Sequence, residues 1–131
     1  MDQVNALHSK NCTAASGEES PLTQAQYRPF LGLLDPSWTV FENSKLRRKI
    51  VLPDFKKPLA LAAQIGTMAE EQWHHPSLKL GWGLLEVEIY THDIGGLLES
   101  DFIFAAKVDH IISLNPDFTP IGPGPSSSKK S

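Results

Sequence analysis

Leu84-Leu85-Glu86-Val87-Glu88-Ile89-Tyr90-Thr91 is the stretch on which the fold turns. Leu85, Val87 and Ile89 fall on one side of an extended chain, and Glu86, Glu88 and Tyr90 fall on the other. A period of two with one apolar side predicts a strand of an antiparallel sheet covered on a single face. A parallel strand, buried on both faces, would be apolar throughout. Residues 78–81 supply a strand beside it. Residues 38–42 and 46–52 also alternate, and Asn43-Ser44 between them carries turn chemistry, so another hairpin is expected upstream.

Helical spacing fills the intervals. Thr23 is placed to cap a short helix that runs from Leu22 toward Leu34, is disturbed by Pro29, and stops at Asp35-Pro36-Ser37. Asp54 caps a second helix, 55–72, with Pro58 in its first turn, where a missing N–H costs little. Its spacing groups Phe55, Leu59, Ala62, Gly66 and Ala69 on one face, expected to be buried, opposite Lys57, Gln64, Thr67 and Glu71. On that register Glu70 leans inward, and Leu61 and Met68 remain free for a subunit contact. A last helix, 99–114, is expected to bury Ile103, Phe104, Val108 and Ile111. The order α-β-β-α-β-β-α predicts an α+β fold, a four-stranded antiparallel sheet with three helices packed on one face.

Composition bounds the rest. A chain of 131 residues, 40% hydrophobic and 21% charged, supports one core. The expected domain is 21–115, between flexible tails at 1–20 and 116–131, the latter ending in the Pro, Gly and Ser-rich TPIGPGPSSSKKS. A net charge of -3 argues against nucleic acid as a partner, and the basic run Lys45-Leu46-Arg47-Arg48-Lys49 is expected on the solvated side of a strand. Cys12 is the only cysteine, so the chain cannot form an internal disulfide. No apolar run approaches the roughly 20 residues of a membrane span, and the N-terminus lacks a signal-peptide layout. No membrane partner and a cytoplasmic address are expected.

Titratable side chains gather at the expected ends of elements. Glu70 and His74-His75-Pro76 close the second helix, and His92 follows the last strand. His74, His92 and Glu70 match the ligand types of a three-ligand zinc centre, but adjacent histidines point apart and the tight His-x-x-x-His clamp is missing. The same groups suit proton transfer without a cofactor. An imidazole titrates near pKa ~6.5, and two of them flanking a small ligand serve as acid and base, with a carboxylate to orient one. His8 and His110 have no such company and read as functionally silent.

Glu70-Glu71-Gln72-Trp73-His74-His75-Pro76, with Trp82, His92 and Asp101 following, resembles the signature of the pterin-4a-carbinolamine dehydratase family. The similarity runs from Pro21-Leu22 through SWTVFE, LRRKIVLPDF, THDIGGLLESDF and AAKVDHI. It implies a lyase, a 4a-hydroxytetrahydrobiopterin dehydratase, that removes water across the N5–C4a bond of a 4a-hydroxytetrahydropterin and releases quinonoid dihydropterin. No metal and no organic cofactor are implied. By the same resemblance His74 and His92 are the acid and base, and His75 contacts the pterin. Glu70 is the carboxylate four residues before the pair, and Asp101 supports the site from the last helix. Thr91 and the backbone near Pro76 are candidates to hold the pterin's polar edge, and Trp38, Trp73 and Trp82 either stack on it or fill core.

The family resemblance further implies a homodimer or homotetramer and a link to an aromatic amino-acid hydroxylase through pterin recycling. It also carries a second class of function, because animal relatives serve as dimerisation cofactors of a homeodomain transcription factor. Two departures stand out. Ala15 occupies the place where many bacterial relatives have the second cysteine of a Cys-x-x-Cys, and position 94 is Ile where animal relatives have cysteine.

Overall fold

The computed structural model describes residues 7–121, with residues 7 and 8 helical, and its first helix described in full opens at a reciprocal cap. Thr23 Oγ1 accepts the Gln26 N–H at 3.2 Å and Gln26 Oε1 accepts the Thr23 N–H at 2.8 Å, opening α1, Gln24–Leu31. Strands β1, Thr39–Phe41, and β2, Lys45–Val51, form the first hairpin. Its turn places Glu42 and Asn43 at φ 55° and 57°, as a tight turn between twisted strands requires. Asp54 Oδ1 accepts the Lys57 N–H at 2.9 Å at the start of α2, Lys56–Gln72. The second hairpin, β3, Ser77–Gly81, and β4, Leu84–Ile89, leads through a 3-10 turn at His92–Ile94 to α3, Glu99–Leu114. The sheet order is β1-β2-β4-β3 with every pair antiparallel, as the alternation of β4 predicts.

The two faces of the sheet differ as that alternation requires. Leu46, Ile50, Leu85, Val87 and Ile89 point toward the helices and are fully buried, with Leu61 and Ile65 of α2 and Phe102, Phe104 and Val108 of α3. On the opposite face Arg47 reaches across to β4, with Nη2 2.7 Å from Glu88 Oε2 and Nε 3.1 Å from Glu86 Oε2.

Three expectations are corrected. The buried face of α2 is Pro58, Leu61, Ile65 and Ala69, while Phe55 and Leu59 are 43% and 50% exposed. Apolar residues surround much of this helix, so spacing alone does not select a face. Packing does, because Leu61 and Ile65 bury far more area than Ala62 and Gly66. Leu61 is therefore not free for a subunit contact, Met68 packs against the core, and Glu70 points to solvent instead of leaning inward.

Arg48 is the second correction. It takes its turn inward between Leu46 and Ile50 and is 4% exposed, so the basic run is not wholly solvated. Its Nη1 donates to Asp109 Oδ1 at 2.6 Å, and the indole Nε1 of buried Trp38 donates to the same oxygen at 2.8 Å. Asp109 Oδ2 accepts the Asp35 N–H at 2.9 Å. Burial raises the Asp109 pKa from its ordinary value, with the Arg48 charge opposing the shift. Trp38 is thereby a structural residue.

The packed body also exceeds the expected limits of 21–115. Leu7 and Phe118 are 3% and 2% exposed, and the Ile121 N–H donates to Val51 O at 2.9 Å. Scattered apolar anchors in polar stretches lack the periodicity that marks an element, although each fills a gap in the core. The outer parts of both expected tails, 1–6 and 122–131, lie outside the described residues.

Candidate active site

Trp73 ends α2 in the left-handed region, at φ 53° and ψ 45°. The reversal sends the next two side chains apart. His74 turns beneath the sheet, 13% exposed in its side chain, with its ring 5.8 Å from that of Phe104. Its Nε2 lies 2.8 Å from Asp101 Oδ1. Asp101 occupies the first turn of α3 and has no exposed surface, and its Oδ2 accepts from Thr91 Oγ1 at 2.8 Å and from the Leu98 N–H at 2.7 Å. A carboxylate there only accepts, so His74 donates from Nε2 and its Nδ1 carries the lone pair in the neutral ring.

His75 faces outward. Its Nε2 is 2.7 Å from Glu70 Oε2, with side chains 46% and 70% exposed, and its ring meets the edge of Trp73 at 5.2 Å. Trp73 and Trp82 are both largely exposed, unlike Trp38.

The end of β4 separates the remaining candidates. Thr91 is buried, and its hydroxyl donates to Asp101 Oδ2. His92, one residue on and exposed, packs its ring 4.1 Å from Tyr90, which also has the Lys45 ammonium 5.3 Å from its centroid. Pro76 follows the histidine pair and directly precedes β3.

The structure thus joins His74, Asp101 and Thr91 in one hydrogen-bonded cluster and His75 with Glu70 in a second. The zinc set of His74, His92 and Glu70 is not assembled. Among the described residues no three His, Cys, Asp or Glu side chains are arranged to hold a metal ion. Sequence reasoning missed the Leu98 N–H, Phe104 and Tyr90 as neighbours of the site. The first was readable, since an acidic residue at the third position of a helix reaches back to the cap N–H. Contacts of Phe104 and Tyr90 depend on how distant elements pack.

A single antiparallel sheet, helices over one face and histidine–carboxylate pairs where α2, β4 and α3 meet define an α+β fold with a histidine–carboxylate cluster at one end of its sheet. Residues 20–111 match the family described as pterin 4 alpha carbinolamine dehydratase. The chain belongs to that family. It is 42% identical over 104 residues to a protein of Rickettsia bellii (strain OSU 85-389), covering 79% of this chain and 92% of the relative. A Rubrobacter xylanophilus protein is 39% identical over 108 residues, covering 82% of this chain and all of the relative. Both carry the family's dehydratase name. A crystal structure described as a transcriptional coactivator/pterin dehydratase from Brucella melitensis superposes with a TM-score of 0.65 at 27% identity, covering 70% of this chain and 98% of that one. Among the described residues no helix is long and apolar enough to cross a membrane.

Proposed function

We propose that the protein eliminates water from a 4a-hydroxytetrahydropterin by histidine acid–base catalysis. The observation that carries this reading is the 2.8 Å contact between His74 and Asp101, whose carboxylate is fully buried and held by two further donors. A buried carboxylate bound to one imidazole nitrogen fixes the ring's tautomer and orientation. His74 and His92 divide the two proton transfers. One, as imidazolium, protonates the 4a-hydroxyl, so that the C4a–O bond breaks and water leaves. The other takes the N5 proton as the N5=C4a bond forms. No metal ion or organic cofactor takes part in this scheme.

His75, anchored by Glu70, contacts the pterin in this reading, the backbone near Pro76 meets its polar edge, and exposed Trp73 and Trp82 are placed for stacking. The protein acts as a homodimer or homotetramer in the cytoplasm and recycles pterin for an aromatic amino-acid hydroxylase. The test follows the ultraviolet signal of chemically generated 4a-hydroxytetrahydropterin with wild type, His74→Ala and His92→Ala, each with and without chelator. Chelator-resistant acceleration that drops about 100-fold or more in both variants supports the scheme. A folded wild type that gives no acceleration overturns it, and chelator-sensitive activity restores the metal reading.

A second reading, a non-catalytic dimerisation cofactor, draws on Phe55, the cap residue before α2, and Leu59, one turn further on, each about half exposed. Leu59→Ser separates the two. Unchanged dehydration with lost association with a transcription-factor partner favours the binding role for this surface, and unchanged association removes it.

A further inference from the structure

Residues 7–13 cross the ends of the two helices that build the His74–Asp101 pair. At one end of this segment Leu7 is buried, Lys107 Nζ donates to His8 O at 2.9 Å, and the rings of His8 and His110 stack 3.9 Å apart. At the other end the Cys12 N–H donates to Gln72 Oε1 at 2.8 Å. The Thr13 N–H donates to Ser100 Oγ at 2.9 Å, and Ser100 Oγ–H returns a bond to Thr13 O at 3.2 Å. The Cys12 thiol, pushed up to about 11 by burial, donates to Ser100 O at 3.5 Å. The segment lies ahead of residue 20, where the family match begins.

We propose that this segment is a strap that sets the His74–Asp101 hydrogen bond, with Gln72 and Ser100 as its positioning residues. Gln72 is the last residue of α2, two before His74, and buried Ser100 adjoins Asp101 in the first turn of α3. Consecutive strap residues hold one each. Their Cα atoms are a fixed ~3.8 Å apart across a trans peptide, so the strap gauges the gap between the two helix ends. The His74–Asp101 bond spans the same gap. Anchoring by Leu7 and the His8–His110 stack keeps the strap from sliding. The effect of the strap on rate rests on the reading of His74 as a proton-transfer group, whereas its position and its effect on the His74 ring do not.

The test uses the full chain as wild type, Gln72→Ala, Ser100→Ala and Gln72→Glu. The His74 imidazole signals are followed by NMR, alongside kcat, KM and thermal melting. The two alanine variants are expected to shift or broaden the His74 Nε2–H signal and to lower kcat about 5–20-fold with KM within about twofold. Gln72→Glu, which still accepts the Cys12 N–H, is expected to restore most of the loss. An unmoved His74 signal and unchanged kcat beside a lowered melting temperature would overturn the proposal, leaving a segment that only packs. If wild type shows no dehydration yet the His74 signal still shifts in both alanine variants, the dehydratase reading fails and the strap stands.

Discussion

His74–Asp101 and His75–Glu70 are the same chemical pair at nearly the same distance, 2.8 and 2.7 Å, set side by side by adjacent histidines. Their surroundings are opposite. Asp101 is fully buried and binds Thr91 and Leu98 besides His74, while the Glu70 side chain is 70% exposed. Water screens the outer pair, and such contacts contribute about 0–1 kcal/mol. The inner carboxylate has no water to replace a lost partner, so each of its hydrogen bonds matters. Hydrogen-bond length therefore does not rank the two pairs; burial and the number of partners do.

The strongest way to break the contrast is Asp101→Ala, which strands the Thr91 hydroxyl, the Leu98 N–H and His74 Nε2 together. Urea unfolding is expected to show a loss of about 3 kcal/mol or more. Asp101→Asn sharpens the contrast by keeping the shape. Because Leu98 and Thr91 both donate to the Oδ2 position, the new amide oxygen stays there and its NH2 meets His74 Nε2, forcing the other tautomer. Steady-state kinetics are expected to give a kcat about 10–100-fold lower, with a stability loss of only about 1 kcal/mol. Thr91→Val, close in shape, deletes one of the three donors and is expected to lower unfolding free energy by about 1 kcal/mol.

On the outer pair Glu70→Gln is expected to change stability by less than about 0.5 kcal/mol, as read from urea midpoints. The smallest effect concerns another exposed carboxylate. Acceptance of the Lys57 N–H lowers the folded pKa of Asp54, so its contribution is fully present above the unfolded carboxylate value and is lost as pH falls through the lower folded one. Melting temperatures of Asp54→Asn, which keeps a cap, are expected to equal wild type at neutral pH and to fall less steeply below about pH 4.

The contrast between the pairs was only half legible in the sequence. Strand β4 was readable from one alternating run, and the element order followed from caps and turns such as Thr23 and Asp54. The histidines, Asp101 and Thr91 stood out by type and spacing. Which of His74 and His75 points inward was not legible, because it depends on the left-handed turn at Trp73 and on the face that α2 presents. That face was misjudged for a physical reason: Leu59, Leu61, Ala62 and Ile65 offer apolar area in several directions, and only packing against the sheet chooses. Glu70 was misplaced with it. Arg48 was readable in principle, since the alternation Leu46, Arg48, Ile50 sets it inward. Its compensation by Asp109, however, comes from a helix 61 residues away in sequence.

In the proposed function the buried histidine–carboxylate pair, not its exposed neighbour, drives dehydration. The direct measurement is the single-turnover rate of 4a-hydroxytetrahydropterin loss for Asp101→Asn and Glu70→Gln beside wild type at the same pH. A fall of about 10-fold or more is expected for Asp101→Asn and a rate within about threefold of wild type for Glu70→Gln. Equal losses in the two variants, or a larger loss in Glu70→Gln, would contradict it.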